Sequence, residues 1–311
     1  MVIRYLLQSW LEAAVRRRLQ EALMQAAAQR AAEQSSCQSQ PDQPQPDQSQ
    51  RDETARQSEP SIDRAHVGVV FALGLEAGGL EDMLSGVVTI RGYGFALREG
   101  GLKGRRVLVA CSGPGKARAA KVTEALIAGH RPLWVISAGF AGGLDPRLRR
   151  GDLLIVEQVV DSSGQQIEVD IGLDHAALRE SSGVHAGRLL TVDRVVRRPE
   201  EKRQLAERFQ AAAVDMESFA VAEVCRRHDV HFLAVRAVTD TVDDPLPADV
   251  ERLLHQRSGA ARLGAALSTL LNRPGSAKDM WQLHQRAVVA SDRLAKFIAG
   301  LVEQLAPESR K

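Results

Sequence analysis

The feature that most constrains the fold is a series of short apolar segments that begins after Arg64. These segments are rich in β-branched residues, as in "VGVVFAL" at 67–73 and "HFLAVRAVTD" at 231–240. Helical patterns lie between them, such as "KARAAKVTEALIAG" at 116–129. Apolar strands that alternate with helices are typical of a largely parallel sheet that is covered on both faces. The pattern therefore predicts an α/β fold.

Two segments that precede this domain differ from it in composition. Residues 1–33 carry apolar side chains at helical spacing beside an arginine cluster at 16–18, which predicts one amphipathic helix. Two interpretations of this helix stay open: it packs on protein, or it lies on a membrane surface with its arginines toward anionic lipid. Residues 34–63 are rich in Gln, Ser, Pro and Asp, which predicts a disordered linker. The folded domain is expected over residues 64–308.

Composition excludes several classes of function. The net charge of the 311-residue chain is +2, which gives no reason to expect nucleic acid as a partner. The three cysteines form no disulfide framework, so a cytoplasmic location is expected, with peripheral attachment to the inner membrane compatible with the N-terminal helix. No apolar run approaches the roughly 18 to 20 residues of a membrane span. The eight histidines show no ligand spacing, and no metal is expected.

Carboxylates follow the predicted strands at their carboxyl ends, which is where α/β sheets bind ligands. Glu76 follows the first strand, and Thr239 and Asp240 close the last one. Glu217 lies near the start of the helix predicted at 216–229, where backbone N–H groups favour an anion. Taken singly, each acid is equally explained as a solvated loop residue, a turn former or a helix-dipole partner. Taken together, the three are compatible with one cleft, and spacing alone does not decide between these interpretations.

Glycine-containing turns end two other strands, "SGPGK" at 112–116 and "SAGFAGG" at 137–143. The first lacks the spacing and the Lys-Ser/Thr ending of the phosphate loop of nucleoside triphosphatases, and the first strand lacks the dinucleotide glycine pattern. These absences argue against ATP and NAD. A phosphate site remains open, with these candidates: Ser112, Gly113, Gly115, Lys116 and Arg118. The two cations are equally explained as solvated residues of a first helical turn.

Five sequence blocks together resemble the nucleoside phosphorylase superfamily. They are "VGVVFALGLEAGGL", "SGPGKARAA", "SAGFAGGLDPRLRRGDLLIVEQVVD", "VDMESFAVAEVC" and "AVRAVTDTVDD", and they keep their order over about residues 66–305. Within the superfamily the similarity is to the branch of the methylthioadenosine/S-adenosylhomocysteine nucleosidases. The short connection at 161–187 and the closing stretch look most like the hopanoid-associated phosphorylases. The resemblance implies a three-layer α/β/α sandwich with a central mixed, mostly parallel twisted sheet, no cofactor, and cleavage of an N-ribosidic bond.

The resemblance also implies a role for each candidate residue. Asp240, helped by Thr239, is expected to protonate N7 of the leaving adenine. Glu217 is expected to accept both ribose hydroxyls, and Glu76 to orient the attacking water. Asp215 is expected to cap a helix without a catalytic role. The side chains and backbone expected to contact the nucleoside are Met216, beneath the sugar, and Ser112, Gly113, Gly142, Phe140 and Val192.

The chain departs from the nucleosidases at two places. Phe140 stands where they carry a small polar residue, and "LLTVDRVV" at 189–196 replaces their longer segment, which presents an aromatic ring to the purine. Aromatic residues make up only 4% of the chain. The candidates for stacking on the base are therefore Phe140, Val192 and Phe219, although a place in the apolar core explains each of them better when it is taken singly.

Three functions stay open from the sequence. The first is hydrolysis of an adenine nucleoside that carries a bulky 5′ group. The second is phosphorolysis, with phosphate as co-substrate bound at Gly115, Lys116 and Arg118, including the adenosylhopane type. The third is a nucleoside-binding or membrane-tethered module without turnover. By resemblance to the nucleosidases, a homodimer is expected.

Overall fold

The computed structural model describes residues 65–92, 95–170, 182–246 and 276–305. In the last of these ranges, the side chains are described from residue 285 onward. The amphipathic helix predicted at 1–33 and the linker predicted at 34–63 lie outside the described residues. These two assignments stay predictions.

Strands and helices alternate along the described part of the domain. In chain order the elements are β1 (Val67–Phe71), α1 (Gly74–Glu81), β2 (Ser85–Gly92), β3 (Phe95–Leu102), β4 (Arg105–Cys111), α2 (Lys116–His130), β5 (Trp134–Gly143), β6 (Leu153–Asp161), β7 (Gln166–Glu168), β8 (Val184–Thr191), α3 (Pro199–Phe209), β9 (Ala213–Asp215), α4 (Ser218–Arg227), β10 (His231–Asp240) and α5 (Ser276–Gln304).

These strands belong to one mixed sheet. Its middle is parallel, because β4, β1, β5 and β10 lie side by side and run in the same direction. The antiparallel β2–β3 hairpin extends one edge. All five residues of β1 are buried, as expected for a strand that is covered on both faces. The predicted α/β fold with a central mixed sheet is therefore confirmed.

Strand β10 pairs with two strands and thereby closes part of the sheet into a ring. It runs parallel to β5 and antiparallel to β6. The ring continues from β6 to β8, from β8 to β9, and from β9 back to β5. The apolar pattern did not predict this closure, because β9 is only three residues long. The ring gathers the ends of several strands around one opening.

Helices cover the sheet on both faces, and the alternation along β1 shows which helices share a face. Val69 packs in one core with apolar side chains of α1 and α5, such as Leu80 and Leu294. Val70 packs in a second core with α2 and α4, where Leu126 and Val224 are fully buried. A third cluster forms beneath α3. Among the described residues, no helix combines the length and apolar character needed to cross a bilayer.

Candidate active site

A pocket of about 210 Å³ opens where β5 and β10 end and where the β1–α1 loop and the β9–α4 junction approach each other. Glu76, Glu217 and Asp240 all line it, so the fold brings the three candidate carboxylates together. The other predicted residues on its wall are Thr239, Met216, Phe140, Gly142 and Val192. No group of three or more metal-ligating side chains occurs within the described ranges.

Glu76 lies in the first turn of α1 and is 5% exposed. Its Oε2 accepts the backbone N–H groups of Ala72 (3.0 Å) and Leu73 (2.7 Å), and its Oε1 accepts that of Phe140 (2.9 Å). Burial raises the pKa of the Glu76 carboxyl, while these donors and the Arg236 guanidinium act in the opposite direction. The carboxyl is therefore both fixed in position and less acidic than in water.

Glu217 occupies the N-cap position of α4, at the start of the predicted helix. Its Oε1 accepts the backbone N–H of Gly115 at 2.6 Å, and its Oε2 that of Met216 at 3.3 Å. Gly115 has φ of +100°, which glycine adopts without the cost that a Cβ would add. Burial, followed by repulsion from Asp215, raises the pKa of Glu217 to about 8. Hydrogen bonds from hydroxyl donors would stabilise the ionised form of this buried carboxyl.

A buried ion pair lies next to Glu217, and its acid, Asp215, also lines the pocket. Arg236 is 2% exposed, and its Nη2 and Nε donate to Asp215 Oδ2 at 2.8 and 3.1 Å. The same Nη2 donates to the hydroxyls of Ser137 and Ser218, both at 2.7 Å. Asp215 also accepts the backbone N–H of Ser218, the first residue of α4, which is the interaction expected of a helix cap. The ion pair was not predicted from the sequence.

A β-bulge precedes Asp240 at the end of β10. Val238 pairs with Ala141 and Asp240 with Gly142, so Thr239 is an extra residue relative to β5. Such a bulge changes the direction in which a side chain points. The Thr239 hydroxyl donates to Asp240 Oδ1 at 2.9 Å, and Asp240 is 5% exposed. The bulge and this hydrogen bond set the orientation of the carboxyl at the pocket wall.

Asp240 forms a second buried ion pair, with Lys202 of α3. Lys202 is fully buried, and its Nζ donates to Asp240 Oδ2 and to the backbone oxygens of Thr241 (2.6 Å) and Asp244 (3.0 Å). Burial raises the pKa of the Asp240 carboxyl, and the neighbouring Lys202 ammonium opposes that rise.

The sequence predicted α3 without identifying Lys202 as a functional residue. A pattern was nevertheless present: Lys202 shares helical spacing with Leu205, Ala206 and Phe209, which are the less exposed residues of α3. A lysine in register with an apolar face indicates a buried cation that needs an acidic partner. Lys202 itself does not line the pocket; residues that do line it and were not predicted to do so include Arg194, Val195, Val196, Leu246 and Asp215.

Ser112 and Gly113 do not line the pocket. Their backbone N–H groups donate to the oxygens of Phe71 (2.8 Å) and Ala72 (3.0 Å), which join the β4 turn to the end of β1. The Ser112 hydroxyl donates to Gly113 O at 2.7 Å. The predicted contact of these two residues with the nucleoside is therefore not part of the observed pocket, because their polar groups stabilise the turn.

The candidates for a phosphate site are also engaged elsewhere. The Gly115 amide donates to Glu217, and the Lys116 ammonium lies 2.9 Å from Asp193 Oδ1. Arg118 is exposed, and its side chain packs over Gly113. The Gly115 amide and the Lys116 ammonium are therefore already paired with carboxylates of the protein.

The three candidates for stacking on the base separate clearly. Phe140 and Val192 line the pocket. Phe219 does not line it, because this side chain is 6% exposed and belongs to the core between the sheet and α4. Phe140 is therefore the aromatic residue of the pocket wall.

The model of the phosphorylase superfamily matches residues 66–272, which contain the pocket and its three carboxylates. The chain belongs to the phosphorylase superfamily. Among curated members, the 5′-methylthioadenosine/S-adenosylhomocysteine nucleosidase of Tolumonas auensis is 28% identical over an alignment of 230 positions, and the match covers 66% of this chain and 99% of the relative.

Solved structures of two hydrolases share the fold. The 5′-methylthioadenosine/S-adenosylhomocysteine nucleosidase of Neisseria meningitidis, in complex with methylthio-immucillin-A, superposes with a TM-score of 0.61 at 24% identity, over 77% of this chain and 99% of that one. The futalosine hydrolase of Helicobacter pylori superposes with a TM-score of 0.60 at 21% identity, over 78% of this chain and 98% of that one. The match of the family model to residues 66–272 confirms the recognition of the superfamily from its sequence blocks.

Proposed function

We propose that this chain hydrolyses the N-ribosidic bond of an adenine nucleoside that carries a 5′ substituent. The observation that carries the proposal is the placement of Glu76, Glu217 and Asp240 on the wall of one pocket. The similarity to a methylthioadenosine/S-adenosylhomocysteine nucleosidase over 99% of that relative supports the substrate class. The reaction requires three contributions from the protein: binding of the sugar, protonation of the leaving purine, and orientation of the attacking water.

Glu217 supplies the grip on the sugar. Its carboxylate accepts hydrogen bonds from the 2′- and 3′-hydroxyls of the ribose, which replace the water that burial removes. The Gly115 amide holds this carboxylate from the other side, and Met216 provides an apolar surface beside it. Burial raises the pKa of Glu217 to about 8 and so favours the neutral carboxyl in the empty pocket. The hydroxyl donors of a bound substrate act in the opposite direction and favour the ionised form.

Asp240 supplies the proton for the base. Cleavage of the C1′–N9 bond leaves negative charge on the purine, and transfer of the Asp240 proton to N7 neutralises that charge. The carboxyl must be protonated before this step, and its burial raises its pKa in the required direction. Thr239 orients the carboxyl through its hydrogen bond to Oδ1.

Glu76 orients the attacking water and accepts one of its protons. Three backbone N–H groups fix the carboxylate, so the water meets a preorganised acceptor. Burial raises the pKa of Glu76, which makes the carboxylate a stronger base than an exposed glutamate.

Hydrolysis is favoured over phosphorolysis because most of the protein groups that were predicted to bind phosphate already have partners within the protein. The Ser112, Gly113 and Gly115 amides already donate to protein oxygens, and Lys116 pairs with Asp193. A phosphate ion would have to break these interactions before it could bind.

The apolar part of the pocket wall supports an apolar 5′ substituent. Phe140, Val192, Val195, Val196 and Leu246 all contribute to this wall. A methylthio group and the hydrocarbon of an adenosyl lipid both have this character. The hopanoid substrate, the homodimer and the contact with a membrane remain predictions from the sequence.

The test is adenine release from adenosine, methylthioadenosine, S-adenosylhomocysteine and an adenosyl lipid, each with and without phosphate. We expect release that is indifferent to phosphate. We also expect Glu76→Gln, Glu217→Gln and Asp240→Asn each to lower kcat/KM by about 10²-fold or more, because Glu76 and Asp240 exchange protons with the reacting groups and Glu217 positions the ribose. Glu81→Gln is the matched control, since Glu81 lies on α1 outside the pocket and pairs with Arg98.

Each alternative function has its own outcome in this experiment. A strict requirement for phosphate would establish phosphorolysis. Absence of adenine release from every substrate, with nucleoside still bound, would establish a binding module. Wild-type rates in both Glu217→Gln and Asp240→Asn would show that the roles assigned to these two residues are wrong.

A further inference from the structure

We infer that Lys202 is a positioning residue for proton delivery to the leaving base: it orients Asp240 and stabilises the carboxylate that Asp240 becomes when its proton leaves. The inference rests on the proposed function, because it concerns the general acid of that reaction. It assigns a task to a buried cation that lies outside the pocket lining and that the three carboxylate roles do not use.

The surroundings of Lys202 keep its side chain charged and fixed. The residue is fully buried, and its ammonium group has three N–H donors. Those donors meet three acceptors, namely Asp240 Oδ2 and the backbone oxygens of Thr241 and Asp244. A buried ammonium group with every donor satisfied and an acidic partner avoids most of the penalty of an isolated buried charge. Lys202 therefore remains a cation beside Asp240.

The two carboxyl oxygens of Asp240 have different partners. Oδ2 is held by Lys202, whereas Oδ1 accepts from the Thr239 hydroxyl at 2.9 Å. That hydroxyl also lies 3.4 Å from the backbone oxygen of Ala141, which gives it a second acceptor. When the hydroxyl turns to Ala141, Oδ1 is free to carry a proton toward the base. Lys202 thus selects Oδ1 as the oxygen that donates.

The charge change during the reaction explains why a cation is useful at this position. The Oδ1–H bond of Asp240 breaks, an N7–H bond forms, and the electrons of the C1′–N9 bond pass to the purine, which leaves neutral. Water adds to C1′ and gives one proton to Glu76. Asp240 is left as a carboxylate, and the Lys202 ammonium beside it stabilises the new negative charge as it develops. Lys202 keeps its own protons throughout.

Two charged groups act directly on the Asp240 carboxyl, in addition to Glu76, Glu217 and Arg194 on the same pocket wall. Lys202 approaches from α3, and Asp244 approaches from the segment after β10. The Asp244 carboxylate is itself paired with Arg150, and it accepts from the backbone N–H and hydroxyl of Thr241. Lys202 opposes the pKa rise that burial imposes on Asp240, while Asp244 adds to that rise. Removal of the ammonium therefore raises the pKa of Asp240 further.

The experiment compares the pH dependence of kcat/KM for the full-length wild type and for Lys202→Met. Activity is lost as the pH rises through the pKa of the general acid, because Asp240 then lacks a proton. We expect this alkaline limb to move upward by about 1 to 3 pH units in Lys202→Met. We expect kcat at the plateau to fall about 10²-fold, because the developing carboxylate loses its cation.

Two further variants separate positioning from folding. Lys202→Gln retains a neutral N–H donor at the site, so it removes the charge while it preserves packing, and the same upward shift is expected. Arg203→Met is the matched control, because Arg203 is the next residue of α3 and forms an exposed ion pair with Asp243. We expect its limb to stay at the wild-type pH.

The outcomes distinguish this inference from the proposed function. If the wild type releases adenine and both Lys202 variants keep the wild-type limb, the inference is wrong and the proposed function stands. If the wild type releases no adenine from any nucleoside, the proposed function itself is wrong. An upward shift in Lys202→Gln, with no shift in Arg203→Met, supports the role of Lys202.

Discussion

At the scale of single residues, the three carboxylates of the pocket differ in what surrounds them. Glu76 accepts three backbone N–H groups, Glu217 accepts two, and Asp240 accepts an ammonium and a hydroxyl. Burial raises the pKa of all three. Side chains of similar chemistry take different roles through their environments, so we expect these partners to adapt the three carboxylates to their proposed roles as general base, sugar ligand and general acid.

The space around Glu76 leads to a prediction at Gly139. A Cβ at this position would lie 2.9 Å from Glu76 Oε1 and 3.1 Å from its Cδ, which is too close for the carboxylate to keep its place. We expect Gly139→Ala to lower kcat by about 10²-fold, since a displacement of about 1 Å is sufficient for such a loss. Nucleoside affinity should change little, because the proposed ligand of the sugar is Glu217 and not Glu76.

The measurement for Gly139→Ala is steady-state kinetics together with equilibrium binding of a nucleoside analogue. Gly78→Ala is the control, because a Cβ at Gly78 meets nothing within 4 Å and lies on the same helix as Glu76. Wild-type kcat in Gly139→Ala would contradict a role for the fixed position of Glu76.

At the scale of elements, the sequence was most informative where apolar runs are long and buried. Strand β10 spans the predicted residues 231–240, and α2 ends one residue beyond the predicted 116–129. The β2–β3 hairpin was missed because β2 is exposed along nearly its whole length, so no apolar pattern marks it. Short strands such as β9 were missed because three residues carry too little periodicity.

The contact between β1 and α2 leads to a prediction at Gly68. A Cβ on Gly68 would lie 2.6 Å from Leu126 Cδ2, in a core where Leu126 is fully buried. We expect Gly68→Ala to lower the free energy of unfolding by about 1 to 3 kcal/mol through overpacking. The double variant Gly68→Ala/Leu126→Ala should lose less stability than the sum of the losses of the two single variants, because the added methyl group enters the space that Leu126 vacates.

Urea unfolding of the two single variants and the double variant measures this coupling. Gly129→Ala serves as the control, since Gly129 lies in α2 and a Cβ there meets nothing within 4 Å. Strict additivity of Gly68→Ala and Leu126→Ala would mean that this helix and strand do not contact each other as described.

At the scale of the whole molecule, the pocket lowers stability at alkaline pH. The pKa of Glu217 is raised from 4.5 to about 8 in the folded chain. Between these two values the folded chain binds a proton that the unfolded chain has released, so the free energy of unfolding falls as the pH rises through this range. Active sites commonly lower the stability of the folded state in this way, because they bury ionisable groups whose hydrogen-bonding partners belong to the ligand.

Glu217→Gln tests this linkage. Glutamine retains an oxygen that accepts from the Gly115 amide but carries no charge. We expect the variant to be more stable than the wild type above pH 8 and nearly equal to it below pH 4.5, as measured by urea unfolding across this range. The same difference at both ends of the range would mean that the variant acts through packing or hydrogen bonding and not through charge.

The sequence by itself determined the alternation of strands and helices, the superfamily, and the three carboxylates placed near the ends of predicted elements. These properties are local, because the periodicity of an element and the position of its end depend on residues that are close together in the sequence. Only the tertiary structure decided which polar groups face the pocket. Ser112 and Gly113 stabilise a turn, whereas Lys202 reaches Asp240 across 38 residues of chain. Such a pairing depends on how α3 packs against the end of β10, and no local pattern specifies that contact.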